Sequence, residues 1–195
     1  MSLKDGGMAK WIAFFSQTGS EIAEVSKQIG RWPDLIITNE RPDHLRTINR
    51  EVLTHNIIIL PNKPSAQDYR KVLSKELYEE DYAIYTKDYV ISLHGWLRIM
   101  PTEIIKEYPV MYNGHPGLIN KYPELKGKDP QKKAWDLDLP TSGCVIHRVT
   151  EKLDGGPIMR SKEISIRNLD MEVIFEKLHD ISIQQWVTFL TRHWL

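Results

Sequence analysis

The chain has 195 residues, 41% of them hydrophobic and 27% charged, the balance of an ordinary globular domain with a sizeable core. Lys plus Arg and Asp plus Glu both number 26, and a zero net charge argues against a broad nucleic-acid or anionic-membrane surface. The single cysteine, Cys144, excludes an internal disulfide; no apolar run has transmembrane length and no signal-peptide core is present, so the chain reads as cytoplasmic. Residues 1–7 (MSLKDGG) read as a leader outside the fold, and residues 8–195 as one domain.

Residues 11–15 are a short apolar run and predict the first buried strand. A loop at 16–20 follows, then a helix carrying Ile22, Val25 and Ile29, with Ser20 as its expected N-cap. A strand, a small-residue loop and a helix N-terminus form either an anion site or a plain turn. Strands are expected at 35–38 and 56–61, with a short helix at 43–54 between them. Ser65 caps a helix to about residue 80, with Tyr69, Val72, Leu73 and Leu77 at helical spacing. Residues 89–93 are continuously apolar, as in a strand buried on both faces. Pro101, at the first helical position, opens a helix at 102–108, and a fifth strand spans 110–112.

The segment from Pro116 to Pro140 holds four prolines and one plausible helix, 131–137. So long a loop in a small domain is usually functional. Strands at 144–149 and 158–166 flank the Asp154 loop, and Val173, Phe175, Leu178, Ile181 and Trp186 mark a C-terminal amphipathic helix. This order predicts an α/β fold: a single Rossmann-like domain with a mostly parallel twisted sheet, helices on both faces and an antiparallel addition near the C-terminus. Ligands in such sheets bind beyond the carboxyl ends of the strands, which places the loops at 16–20, 94–98, 113–115 and 154 along one edge.

Three residues on that edge carry chemistry. Asn113 and His115 are two apart, so an extended backbone points both to one side. Asp154 directly precedes Gly155-Gly156-Pro157. A carboxamide, an imidazole and a carboxylate can stabilise an oxyanion and move a proton, although each is also an ordinary turn residue. His94, His115, His147 and Asp154 could in principle ligate zinc, but no HxH or HExxH pairing supports it.

Asn113-Gly114-His115-Pro116, Lys121-Tyr122-Pro123, Thr141-Ser142-Gly143-Cys144-Val145-Ile146-His147-Arg148-Val149 and Leu153-Asp154-Gly155-Gly156-Pro157-Ile158 occur in that order, after Leu93-His94-Gly95-Trp96-Leu97-Arg98-Ile99-Met100. Together they resemble the folate-dependent formyltransferases, in length and motif order most like the branch acting on glycinamide ribonucleotide. The resemblance implies formyl transfer from 10-formyltetrahydrofolate, as co-substrate, to a small-molecule primary amine, first glycinamide ribonucleotide of purine biosynthesis. An amino-sugar nucleotide or another amine is the alternative; methionyl-tRNA formyltransferase, formyltetrahydrofolate hydrolase and metal hydrolase rank lower. No metal, nucleic acid or membrane partner is expected.

The resemblance also implies roles. Asn113 and His115 would stabilise the oxyanion, and Asp154 would hold His115 and relay protons. Leu97, Arg98, Ile99 and Met100, with Glu151 and Leu153, would bind the folate, residue 98 through its backbone; Ile99 leans toward core packing. Thr18, Gly19 and Ser20 would hold the acceptor's phosphate. Glu21 departs from that role, since a carboxylate sits where an anion would avoid one. Gly114 and Gly117 are further departures, and Gly114 is expected to loosen the backbone. His147 reads as structural.

Overall fold

Both faces of the central strands are apolar because both are covered. In the computed structural model, which describes residues 9–39, 46–79, 84–85 and 88–195, β1 (Lys10–Phe15) sends Ile12 and Phe14 into one core and Trp11, Ala13 and Phe15 into another. The first core is closed by α2 (Ala66–Leu77) and α3 (Thr102–Glu107), the second by α1 (Ser20–Ile29) and the long α5 (Met171–His193). Alternation at every second residue thus yields an unbroken hydrophobic run instead of an amphipathic one.

The remaining elements are β2 (Leu35–Thr38), β3 (Ile57–Ile59), β4 (Tyr78–Glu79), β5 (Ile84–Tyr85), β6 (Tyr89–His94), β7 (Met111–His115), α4 (Pro130–Asp136), β8 (Thr141–Arg148) and β9 (Ile158–Ser165). Among the described residues, seven strands form one sheet in the order β3-β2-β1-β6-β7-β8-β9, and β4 pairs with β5. Pairings from β3 through β7 are parallel, whereas β7–β8 and β8–β9 are antiparallel. The expected α/β sheet with helices on both faces and an antiparallel addition is therefore the observed fold. The chain leaves β1 toward β2 and β3, then crosses back to β6 and β7. The loops after β1 and β6 diverge at that switch, and a crevice opens between them.

Local chemistry moves several boundaries. Gly19, not Ser20, is the N-cap of α1: it takes a left-handed φ of 70°, and an added Cβ would lie 3.3 Å from Phe15 and Val52. Pro101 is likewise the N-cap of α3 instead of its first residue. Ser65 does cap α2, its Oγ accepting from the Asp68 N–H while Asp68 Oδ2 accepts from the Ser65 N–H at 2.8 Å. That helix ends at Leu77, where β4 begins. Among the described residues, the helix expected at 43–54 is replaced by 3-10 conformation at 46–47 and at Val52–Thr54. Positions 1–7, 43–45 and 80 of the expected leader and helices lie outside the described residues.

The fifth strand runs on to His115, so Asn113 and His115 are fixed by the ladder: Asn113 pairs with His147 and His115 with Val145. Gly114, between them, does not loosen this strand. A Cβ there would lie 2.6 Å from Nε1 of Trp186, which is fully buried. Glycine is thus the space into which α5 packs its largest side chain. Gly114→Ala is expected to destabilise the fold by about 1–3 kcal/mol through overpacking, read from the denaturation midpoint. Combining it with Trp186→Phe should recover part of that loss, and purely additive effects would show that the clash is relieved elsewhere.

Candidate active site

Two cavities lie on opposite sides of β6 and β7, as strand alternation requires: Leu93 and Asn113 line one, His94 and Gly114 the other. The smaller, about 180 Å³, gathers Asn113, His147 and Asp154. His147 Nδ1 lies 3.0 Å from the Arg148 carbonyl oxygen, and Nε2 lies 3.2 Å from the Asn113 carboxamide nitrogen. Asp154 Oδ1 lies 3.4 Å from that same Nε2. The sequence reads His147 as structural; in the fold its ring lies between Asn113 and Asp154. The β7–β8 register that brings Asn113 opposite His147 is not written in the spacing of either.

The antiparallel strands also fix Asp154. It sits in the turn between β8 and β9 with a left-handed φ of 45°, a conformation Asp tolerates better than most residues. Its Oδ2 accepts from the Gly127 N–H at 2.8 Å and lies 3.6 Å from His115 Nδ1. Burial alone would raise its pKa, but the hydrogen bond with His147, the His115 ring and the Gly127 N–H hold it below the usual carboxylate value. The long loop braces the site: Gly127 holds Asp154, and the Leu125 carbonyl accepts from His115 Nε2–H at 2.8 Å.

His115 is therefore brought beside Asp154, as expected, yet it lines neither cavity. Its ring is buried against Gly117, where a Cβ would lie 3.2 Å from Nε2 and 2.9 Å from Pro130. Gly117 thus makes room for the imidazole. Burial pushes the His115 pKa below the ordinary imidazole value, opposed by the Asp154 charge and the Leu125 hydrogen bond.

The expected folate residues divide. Arg98, Ile99, Met100, Glu151 and Leu153 line the smaller cavity with the polar set, but Leu97 does not. Leu97 donates its N–H to Ser16 Oγ at 2.9 Å and leaves its side chain exposed. Ile99 is 81% exposed, so the leaning toward core packing is corrected: it stands in a loop beyond the end of β6, outside the sheet's cover. Met100 is the buried one. The Arg98 guanidinium is tied to Asn62 and to the Leu97 carbonyl, consistent with a structural use of the side chain. Glu151 pairs with Lys106 at the surface.

The larger cavity, about 510 Å³, lies beyond the N-terminus of α1 and is lined by Thr18, Gly19 and Ser20, together with Glu21, His94 and His179. His94 is thus separated from His115, His147 and Asp154, and the described residues contain no group of three His, Cys, Asp or Glu placed to hold a metal ion. No helix among them is long and apolar enough to cross a membrane.

The sequence profile of the formyl transferase family matches residues 10–189. The chain belongs to the formyl transferase family. It is 31% identical over 122 residues to Escherichia coli phosphoribosylglycinamide formyltransferase, covering 62% of this chain and 53% of that enzyme. It is 28% identical over 150 residues to Arabidopsis thaliana formyltetrahydrofolate deformylase 1, covering 74% of this chain and 44% of the relative. These matches span about half the length of each curated relative. Among solved structures, phosphoribosylglycinamide formyltransferase from Streptococcus pneumoniae superimposes with a TM-score of 0.76 at 20% identity, covering 95% of this chain and 98% of that one. In this family member the matched profile contains all the polar residues of the smaller cavity.

Because the folded state resists protonation of His115, the unfolded chain takes up that proton first as pH falls. The contribution to stability is full above pH 6.5, the ordinary imidazole value, and is lost as pH drops toward the lower folded value. Denaturant titrations between pH 8 and pH 5 should show stability falling toward acid, with a shallower slope in His115→Gln. Equal slopes in both proteins would mean that the buried ring is not what titrates.

Proposed function

We propose that this formyl transferase moves the formyl group of 10-formyltetrahydrofolate to a primary amine. The observation that carries the reading is the convergence of Asn113, His147 and Asp154 on a cavity rimmed by Arg98, Ile99, Met100, Glu151 and Leu153. Those rim residues offer exposed apolar side chains and loop backbone to a flat heterocycle, and the polar set lies where the reacting carbon would be held. The relatives' names make glycinamide ribonucleotide, in purine biosynthesis, the first acceptor to test. A cytoplasmic setting, with small molecules as the partners, accompanies this reading.

The chemistry needs no metal. The amine nitrogen attacks the formyl carbon, a carbon–nitrogen bond forms, and the carbonyl oxygen takes up negative charge. The Asn113 carboxamide N–H can stabilise that oxyanion, a contribution of about 2.7–4 kcal/mol for one well-placed donor. The attacking nitrogen then loses a proton, the folate N10 gains one, and the carbon–N10 bond breaks. Asp154, ionised and flanked by two imidazoles, is the group suited to accept and pass on that proton through water. His115 positions Asp154 from the buried side; to donate to the oxyanion itself it would have to exchange the Leu125 carbonyl for the substrate.

An amino-sugar nucleotide or another amine is the second reading of the acceptor, favoured by the Glu21 carboxylate in the larger cavity. The assay is formyl transfer from a 10-formyl folate analogue with and without glycinamide ribonucleotide. Asn113→Ala, His115→Ala and Asp154→Asn should each lower kcat by about 10²–10³-fold while folate-analogue binding survives. Near-full turnover in any of them would remove that residue from its assigned role. Formate release that needs no amine would convert the reading to hydrolysis.

A further inference from the structure

The larger cavity contains a pair of residues that the transfer chemistry above does not use. Glu21, in the first turn of α1, points its carboxylate to the crevice, with 17% of the side chain exposed. His94, at the end of β6 and almost wholly buried, donates from Nδ1 to Glu21 Oε2 at 2.8 Å. Behind it, His94 Nε2 lies 2.9 Å from Ser92 Oγ, which in turn accepts from Trp11 Nε1–H at 2.8 Å. The ring also packs on Trp186, centroids 4.5 Å apart. A continuous set of contacts from the central sheet to α5 therefore holds one carboxylate at the cavity wall.

That carboxylate is ionised. Burial would raise its pKa, but the hydrogen bond and charge of His94, with the Ser182 hydroxyl and His179, bring it below the usual glutamate value. It occupies the end of α1 where free N–H groups and the helix dipole would otherwise attract an anion. Among the described residues, the cavity's other charged side chain is Glu176, and no lysine or arginine lines it. A phosphate dianion lodged beside Thr18 and Ser20 would meet a fixed negative charge with no lysine or arginine to offset it, and the two imidazoles on the wall, His94 and His179, already act on Glu21. A hydroxyl or ammonium group would instead find an oriented acceptor, since a carboxylate offers about four acceptor sites and His94 and Ser182 occupy only part of them.

We propose that Glu21, held by His94, is a specificity-determining residue of the acceptor cavity: it bars phosphate from the N-terminus of α1 and receives a hydroxyl or ammonium group of the acceptor. The proposal rests on the transferase reading and narrows the acceptor chemistry of that site. Any phosphate on an acceptor then lies outside this corner and adds little to recognition.

Two measurements test it, one of which does not depend on turnover. Inorganic phosphate is titrated into the isotope-labelled wild-type protein and into Glu21→Gln, following the amide resonances of Gly19, Ser20 and Glu21 (or its replacement). Wild type should show no saturable shift and Glu21→Gln should show one; saturable binding by wild type at these amides would overturn the proposal. In parallel, kcat/KM for formyl transfer is compared for glycinamide ribonucleotide and for glycinamide riboside, its dephosphorylated form. Wild type should use the riboside at least as well, and Glu21→Gln should shift the ratio toward the ribonucleotide by about tenfold or more. A wild-type preference for the ribonucleotide that Glu21→Gln leaves unchanged would also overturn it. Failure of both acceptors with every variant would instead count against the transfer reading, and the phosphate titration would still decide the role of Glu21.

Discussion

A buried carboxylate is the constraint around which this molecule is arranged. Taking an ion of that size out of water costs several kcal/mol even after relaxation, so Asp154 is stable as an anion only if its oxygens are met by donors. Three separate places meet those oxygens: the Gly127 N–H in the long loop donates to Oδ2, the imidazole of His147 on β8 lies 3.4 Å from Oδ1, and the ring of His115 at the end of β7 packs 3.6 Å from Oδ2. The loop is consequently part of the site's framework, and its order follows from the charge it helps to hold. The same logic explains the glycines nearby. Gly117 leaves room for His115, and Gly114 leaves room for Trp186, whose packing holds α5 behind the strand that carries Asn113 and His115.

The two cavities follow from one property of β-strands. Because successive side chains point to opposite faces, the ends of β6 and β7 present Leu93 and Asn113 to one side and His94 and Gly114 to the other. One pair of parallel strands can thus serve two binding spaces, one on each side. The proposed transferase reading uses that arrangement, with the donor on the side of Asn113, His147 and Asp154 and the acceptor on the other. The two spaces differ in their polar groups: the smaller joins exposed apolar rim residues to Asn113, His147 and Asp154, whereas the larger sets hydroxyl, amide and imidazole groups around the Glu21 carboxylate, beside Phe175 and Leu178.

Much of this was legible in the chain. Continuous apolar runs at β1 and β6 mark strands covered on both faces, and their alternation with helical segments, followed by two strands close together, is sufficient for the mixed sheet. The motifs around Asn113, His115 and Asp154 point to one site because Asn113 and His115 close one strand and Asp154 follows another. The boundaries were less legible, since Gly19 displaces Ser20 as cap through a left-handed turn set by close contact with Phe15 and Val52. Ile99 was misjudged because an apolar residue in a loop beyond a strand has the same local pattern as one returning to the core.

What the sequence determined by itself is the class of fold and the identity of the polar residues, because side-chain periodicity and residue chemistry are local properties. Tertiary structure decided which of those residues touch. His147 joins the site only through the antiparallel register with Asn113. His115 turns from the cavities because the carbonyl of Leu125, ten residues on, captures its Nε2–H. Glu21 and His94, 73 positions apart, become one unit because β1 and β6 are neighbours in the sheet. Contacts of that kind depend on strand order and loop path, and no spacing within either segment encodes them.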